Sequence, residues 1–354
     1  VKTLRVLIID DSALVRKVLR EVLEKAGGFE VVDTAMDPVF AVEKIKRLKP
    51  DVLTLDLEMP RMDGLTFLGR LMRSMPIPTL IVSSLAQRGA DVTLRALELG
   101  AFDFVLKPQD ATQLSELSAE LSAKLRGAAL AGVATSARPA PRPTVDGATK
   151  EKAHAIFSRL TRTTDKLIAI GASTGGTVAI ESVLSMLPAD SPGIVIVQHM
   201  PPVYTKSFAA RLDQICKLYV KEAEEGDTIT PGHVYIAPGN YHLTLVASGA
   251  TWVCRLNQDP PQNYHRPSVD VLFHSVAQVV GRNAYGIMLT GMGDDGAKGM
   301  REMRDNGAFN LVQDEASSVV FGMPKKAIDA GAADVVAPLS EIPARLLARI
   351  KGEP

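Results

Sequence analysis

Short apolar runs alternate with amphipathic stretches through the first 108 residues, and that alternation leaves the chain few ways to fold. Val6–Ile9, Val31–Ala35, Val52–Leu55, Thr79–Val82 and Phe102–Leu106 are apolar runs of strand length. Between them lie Ala13–Ala26, Val39–Leu48, Gly64–Met75 and Val92–Leu99, whose apolar residues recur at helical spacing. Strands separated by helices pair in parallel through crossover units, so a doubly wound α/β sheet is expected, with helices on both faces. Ala111–Leu125 continues as a fifth helix.

The pattern then lapses. From Gly127 to about Lys152 the chain is rich in Ala, Gly, Thr and Pro, including Arg138-Pro139-Ala140-Pro141-Arg142-Pro143. Closely spaced prolines lack backbone donors and favour extended chain, so residues 127–152 are expected to link a domain over 1–126 to a second over 153–354. Its arginines read more readily as solvated linker charges than as a docking patch. After a short helix near Ala153–Leu160, strand-like runs return at Lys166–Ile170, Gly193–Val197, His233–Ala237, Ala284–Leu289 and Phe309–Val312. His242–Val246 and Thr251–Leu256 flank Ser248-Gly249 as a β-hairpin would. The second domain is therefore expected to be another doubly wound α/β sheet, with an antiparallel excursion.

Composition removes several function classes. Forty basic residues balance forty acidic ones, so no general field draws the chain to nucleic acid or an anionic membrane. Hydrophobic residues at 46% and charged residues at 23% are unlike a disordered chain. No apolar run reaches the ~18–20 residues that span a bilayer. Val1–Ile9 lacks the apolar core and cleavage site of a signal peptide. Two cysteines, Cys216 and Cys254, cannot make a disulfide framework or a cysteine-rich zinc site. A cytoplasmic protein without membrane insertion is expected.

Ligands in open α/β sheets bind beyond the carboxyl ends of the strands. In the first domain those ends carry Asp10-Asp11, Asp56, Ser83-Ser84 and Lys107-Pro108. Taken singly, an Asp there is a turn or helix cap and a Lys-Pro is a loop. Together, three converging carboxylates need a cation between them, and an oxygen-rich site that keeps several waters suits Mg2+. Lys107 and Ser83 could then serve an anion attached to Asp56, a plausible phosphoryl-accepting nucleophile.

The second domain poses a different chemistry. The strand at Lys166–Ile170 runs into Gly171-Ala172-Ser173-Thr174-Gly175-Gly176 and then a helical stretch from Thr177 to Leu187. A simple βα turn, a phosphate cradle and a nucleophile elbow all fit small residues here. The cradle lacks its full glycine spacing, and the next strand ends in Gln198-His199 rather than an acidic ribose ligand. The elbow reading makes Ser173 a nucleophile, which needs a base, and the base needs an orienting group. His199 is the best-placed base, with His242 and His265 as alternatives; His154, His233 and His274 lie near the linker, at a strand start and in a helix. The carboxylate would come from Thr290-Gly291-Met292-Gly293-Asp294-Asp295-Gly296, where spacing does not separate Asp294 from Asp295 and a helix-capping role also fits.

Residues 4–125 resemble the receiver domain of two-component response regulators, through Asp10-Asp11, Leu55-Asp56-Leu57-Glu58-Met59-Pro60-Arg61-Met62-Asp63-Gly64, Ser83 and Lys107-Pro108. The resemblance implies a flavodoxin-like fold in which Asp56 accepts phosphate from a histidine kinase. It implies that Asp10, Asp11 and Asp56 serve Mg2+, and that Ser83 and Lys107 sense the phosphoryl group. Lys166 to Lys351 resembles the catalytic domain of the CheB family of chemotaxis protein-glutamate methylesterases. The motifs are Ile170–Gly176, Val197-Gln198-His199-Met200-Pro201, Ala237-Pro238-Gly239 and Leu289–Gly296. This implies Ser173 as nucleophile, His199 as base, Asp295 as its partner and the Met292 backbone N–H as oxyanion donor. Family members commonly carry Asn where this chain has Asp294. The implied reaction is hydrolysis of glutamate methyl esters on methyl-accepting chemotaxis receptors, releasing methanol, with deamidation of particular glutamines. No cofactor is expected for hydrolysis, and a monomer is expected. A response regulator whose second domain only binds nucleotide or DNA is the alternative, and a hydrolase of small soluble esters a third reading.

Overall fold

The computed structural model describes residues 3–59, 63–84, 86–108, 114–132 and 165–352. The chain divides into two compact units, Val1–Arg138 and Pro139–Pro354.

In the first unit, β1 (Leu4–Ile9), β2 (Phe29–Ala35), β3 (Val52–Leu55), β4 (Thr79–Ser83) and β5 (Asp103–Leu106) form one sheet in the order β2-β1-β3-β4-β5. Every pairing is parallel. The order reverses beside β1, so a crevice opens beyond the carboxyl ends of β1 and β3. Helices α1 (Ala13–Ala26), α2 (Pro38–Leu48), α3 (Gly64–Ser74) and α4 (Gln87–Glu98) make the crossovers, and α5 (Leu114–Ala131) follows β5. Local chemistry starts them: the side chains of Ser12, Asp37 and Asp63 accept from the first-turn amides of α1, α2 and α3. The central strands β3 and β4 are buried on both faces, as the middle of a parallel sheet requires.

Several boundaries differ from the sequence expectation. Helix α4 begins at Gln87, not Val92, because its first turn is polar and carries no apolar periodicity. Gly127–Ala131, assigned by composition to the linker, is the end of α5, held by buried Leu125 and Ala128. Strand β2 starts at Phe29. The rest of the expected linker, with Arg138 and Arg142, the helix near Ala153–Leu160, His154, and Ala111 to Gln113 lie outside the described residues.

In the second unit, seven strands form a parallel sheet in the order β14-β13-β12-β6-β7-β9-β8. These are β6 (Leu167–Ala172), β7 (Gly193–Gln198), β8 (Tyr219–Glu222), β9 (His233–Ile236), β12 (Ala284–Met288), β13 (Phe309–Gln313) and β14 (Val335–Ala337). The hairpin β10 (His242–Ser248) and β11 (Thr251–Asn257) pairs antiparallel around Ser248 and Thr251. Helices α6 (Gly176–Met186), α7 (Tyr204–Ile215), α8 (Val269–Val279), α9 (Ala297–Asp305), α10 (Met323–Asp329) and α11 (Ile342–Lys351) complete the unit. Sequence reading did not anticipate β8 and β14. Both are edge strands: β8 mixes polar and apolar residues, and β14 is only three residues long, so neither has the extended apolar run of the central strands.

The central strands β12, β6 and β7 bury every residue. A large side chain fully removed from water contributes ~1.5–3 kcal/mol, so this layer is the rigid base of whatever stands at its edge. Register aligns the strand ends: Met288 pairs with Gly171, and Ala172 with Gln198. The residues that follow, Ser173, His199 and Leu289-Thr290, therefore leave the sheet side by side.

Candidate functional site

Both units carry a cluster of polar side chains at the carboxyl edge of the sheet. In the first, Ile9 pairs with Leu55, Leu55 with Ile81, and Ser83 with Leu106. Asp10, Asp11 and Asp56 consequently converge, with a carboxylate oxygen of each within 4.8 Å of the others. Asp10 and Asp56 are buried and Asp11 is exposed. Lys107 Nζ lies 2.7 Å from Asp56 Oδ2 and 3.0 Å from Asp10 Oδ2. Burial pushes both buried carboxyls above their ordinary pKa despite this cation. Burial works against the Lys107 charge, but the two carboxylates outweigh it and raise its pKa. Asp10 Oδ2 is buried, with the Lys107 ammonium beside it but no well-aligned hydrogen bond. An electron-rich, incompletely satisfied oxygen set of this kind fits a hard divalent cation.

Ser83 ends the neighbouring strand, but its hydroxyl lies 2.7 Å from Thr93 Oγ1 of α4, directed to that helix. Gly64 explains part of the motif around Asp56. A Cβ there would lie 2.7 Å from both the Asp56 carbonyl oxygen and Leu57 Cα, so only glycine lets α3 begin against this backbone.

In the second unit the strand β6, the turn and α6 set Ser173 at the edge, half-buried. The Ser173 amide donates to the Thr290 carbonyl at 3.1 Å, and the His199 amide to the Ala172 carbonyl at 3.2 Å. Gln198 Nε2 donates to the Ser173 carbonyl at 2.9 Å, tying the turn to β7. The His199 ring is buried, and its Nε2 lies 2.8 Å from Asp295 Oδ2. Its Nδ1 is buried with no hydrogen-bond partner, so no bond from that nitrogen to Ser173 Oγ is closed in this structure.

Asp295 and Asp294 separate by environment. Asp294 is exposed. Asp295 is buried, and the Val269 amide also donates to its Oδ2 at 2.7 Å. Its Oδ1 accepts from Ser268 Oγ at 2.7 Å, Asn263 Nδ2 at 2.8 Å and the Asp270 amide at 3.2 Å. Burial alone would raise the Asp295 pKa, yet the hydrogen bonds from His199, Asn263 and Ser268 hold it well below the usual carboxylate range. The amides of Val269 and Asp270 belong to the first turn of α8, whose dipole adds to the effect.

The other histidines resolve too. His242 is buried, receiving the Ser268 amide on Nδ1 at 3.2 Å with Nε2 3.3 Å from the Pro260 carbonyl oxygen, and burial lowers its pKa. His265 stacks on His199 with 3.7 Å between ring centroids. His233 contacts Thr230, and His274 pairs with Glu302. Sequence reasoning missed Gln198, Asn263 and Ser268 as site residues. Ser268 did carry a signal, since Ser before an apolar helical run is an N-cap; nothing in the spacing points Asn263 at Asp295.

Met292 follows β12 in the loop that runs beside Val320–Met323. Gly322 and Met323 amides donate to the Gly291 carbonyl at 3.1 and 2.8 Å, and the Gly291 amide to the Val320 carbonyl at 3.1 Å. The Met292 and Gly293 amides donate to no backbone carbonyl among the described residues. A Cβ on Gly291 would lie 2.9 Å from Ser173 Cβ and 2.3 Å from Met323 Sδ, so glycine brings this loop against the serine.

A buried imidazole, oriented by an ionised carboxylate and beside a serine on a strand–turn–helix, has the parts for nucleophilic acyl transfer. Comparison with known proteins places these features in a family. Residues 168–346 match the family model for CheB methylesterase, and residues 6–118 that for the response regulator receiver domain. Protein-glutamate methylesterase/protein-glutamine glutaminase 1 of Albidiferax ferrireducens is 56% identical over 354 residues, covering 99% of this chain and 94% of that protein. The protein of the same name from Geobacter metallireducens is 54% identical over 355 residues, covering 99% and 97%. The crystal structure of the Thermotoga maritima CheB methylesterase catalytic domain matches 52% of this chain and 98% of its own, at 42% identity and a TM-score of 0.51. The chain belongs to the CheB methylesterase family, with a response regulator receiver domain ahead of the methylesterase domain.

Proposed function

We propose that this chain is a phosphorylation-regulated protein-glutamate methylesterase and protein-glutamine glutaminase acting on chemotaxis receptors in the cytoplasm. The observation that carries the reading is the buried His199–Asp295 pair at the strand end adjoining Ser173. Ser173 Oγ attacks the γ-carbonyl carbon of a methylated glutamate while His199 takes its proton. Asp295 occupies Nε2, so Nδ1 is the nitrogen left for that transfer. Asp295 holds the ring and stabilises the imidazolium that forms. The Met292 amide donates to the tetrahedral oxyanion, a contribution of roughly 3 kcal/mol per donor. His199 returns the proton to the departing methoxide, and methanol leaves. Water, deprotonated by His199, then cleaves the acyl-enzyme to glutamate and free Ser173. A glutamine side chain follows the same course with ammonia as leaving group.

In the receiver unit, Asp56 accepts a phosphoryl group from a histidine kinase. Asp10, Asp11 and Asp56 are the residues that would hold Mg2+, which when bound offsets the charge of the carboxylates and the phosphoryl oxygens. Lys107, already between Asp56 and Asp10, pairs with the phosphoryl group, and the Ser83 hydroxyl turns from Thr93 to reach it. Phosphorylation raises turnover by stabilising the more active of two states, to the extent that its interaction energy differs between them.

Methanol release from methylated receptor membranes tests the reading. Wild type releases methanol, while Ser173→Ala lowers release by at least about a thousandfold and retains the wild-type melting transition. Undiminished release by that variant would overturn the mechanism.

A further inference from the structure

The base of this site has an orientation problem. Nδ1 of His199 has to stay open toward Ser173, so only Nε2 is hydrogen-bonded, to Asp295. One hydrogen bond fixes a point on the ring and leaves its tilt about that bond undetermined. The second constraint must come from a group that makes no bond to Nδ1. His265 meets that requirement: its ring lies face to face on His199, 3.7 Å between centroids and 15° from parallel.

His265 is itself held from both sides. Gln262 and His265 exchange backbone hydrogen bonds of 3.1 and 2.8 Å across Asn263 and Tyr264, whose φ angles of 51° and 68° make a tight turn of the I′ kind. The Asn263 side chain anchors that turn to Asp295 and Asp270, each at 2.8 Å. On the other side Arg266 grips Asn240 Oδ1 at 2.6 Å and the Gln258 and Asp259 carbonyls at 2.9 and 3.1 Å. The stacked ring is thus delivered by a segment registered on the same aspartate that orients the base.

We infer that His265 is a positioning residue for His199: its π face fixes the tilt of the base and favours the imidazolium formed when Ser173 is deprotonated. This rests on the reading of Ser173 as nucleophile and His199 as its base. Neither effect needs a proton on or off His265, only a flat, polarisable face. Phenylalanine therefore substitutes for it, and leucine, of similar bulk without a face, does not.

The full-length chain and its His265→Phe, His265→Leu and His265→Ala variants are treated with diisopropyl fluorophosphate. With this reagent Ser173 Oγ bonds to phosphorus, fluoride leaves and the serine proton passes to His199. The reaction needs no receptor, so it reports the nucleophile and base alone. Maximal inactivation rate and half-saturating concentration are read separately. H265F stays within about threefold of wild type, whereas H265L and H265A lose on the order of tenfold in rate with half-saturation unchanged. Should H265A fail to fold, the Phe–Leu pair decides. Equal rates for Phe and Leu, or a change in half-saturation alone, overturn the proposal. Failure of wild type to react, or equal reaction of S173A, instead overturns the reading of Ser173 on which it rests.

Discussion

Asp294 and Asp295 are adjacent and chemically identical, yet one faces water and the other receives hydrogen bonds from His199, Asn263, Ser268 and the first amides of α8. Their substitutions therefore diverge. D294N changes kcat for methanol release by less than about threefold. D295N lowers it by roughly a thousandfold or more, because an amide that donates to Nε2 leaves the wrong ring nitrogen protonated. Acid titration separates them further. The folded Asp295 carboxyl sits below its unfolded value, so its contribution to stability is complete above the unfolded pKa of about 3.9. As pH falls below that value, the unfolded chain takes up the proton first and the contribution shrinks, vanishing only below the folded pKa. Urea midpoints across pH 3 to 7 check this: wild type loses stability relative to D295N below about pH 4 and keeps a constant offset above about pH 5. A constant offset throughout would refute the assignment.

At the scale of the element, the start of α8 does two tasks with one side chain. Ser268 caps the helix by accepting from the Val271 amide at 3.4 Å, and its hydroxyl proton goes to Asp295. S268A accordingly costs about 1–2 kcal/mol in urea denaturation and lowers kcat, since cap and carboxylate donor are lost together. A cap role alone would leave kcat unchanged. The loop after β12 makes the second element-scale prediction. G291A places a methyl group against Ser173 Cβ and Met323 Sδ, so it lowers kcat by more than about tenfold and also lowers the melting midpoint. Wild-type kcat in G291A would show that the loop can withdraw from the serine at no cost.

For the whole molecule, the two units contain separate sites of opposite chemistry: acyl transfer on one sheet edge and a carboxylate–lysine cluster on the other. In the proposed function the link between them is a population shift driven by a change of charge at Asp56. Acetyl phosphate with Mg2+ therefore raises methanol release by wild type. D56N shows no rise, and EDTA abolishes the wild-type response. A persistent rise in D56N would remove Asp56 from the switch. No described helix is long and apolar enough to cross a membrane.

The sheets were legible because strands buried on both faces need unbroken apolar runs, and those runs end where polar groups must begin. Asp10, Asp56, Lys107, Ser173 and His199 could accordingly be named from their places at the ends of Ile9, Leu55, Leu106, Ala172 and Gln198. Edge strand β8 escaped notice because a half-exposed strand imposes no such composition, and β14 because its apolar run is only three residues long. Only the tertiary structure shows that Asp294 faces water while Asp295 is buried, that the His265 ring stacks on His199, and that the Ser83 hydroxyl turns to Thr93. Each of those arrangements depends on which donors, rings and helix termini arrive from segments remote in the chain. Asn263 reaches Asp295 across 32 residues, and His199 reaches it across 96. Local periodicity records which face of an element is buried, but carries no information about which distant side chain meets it there.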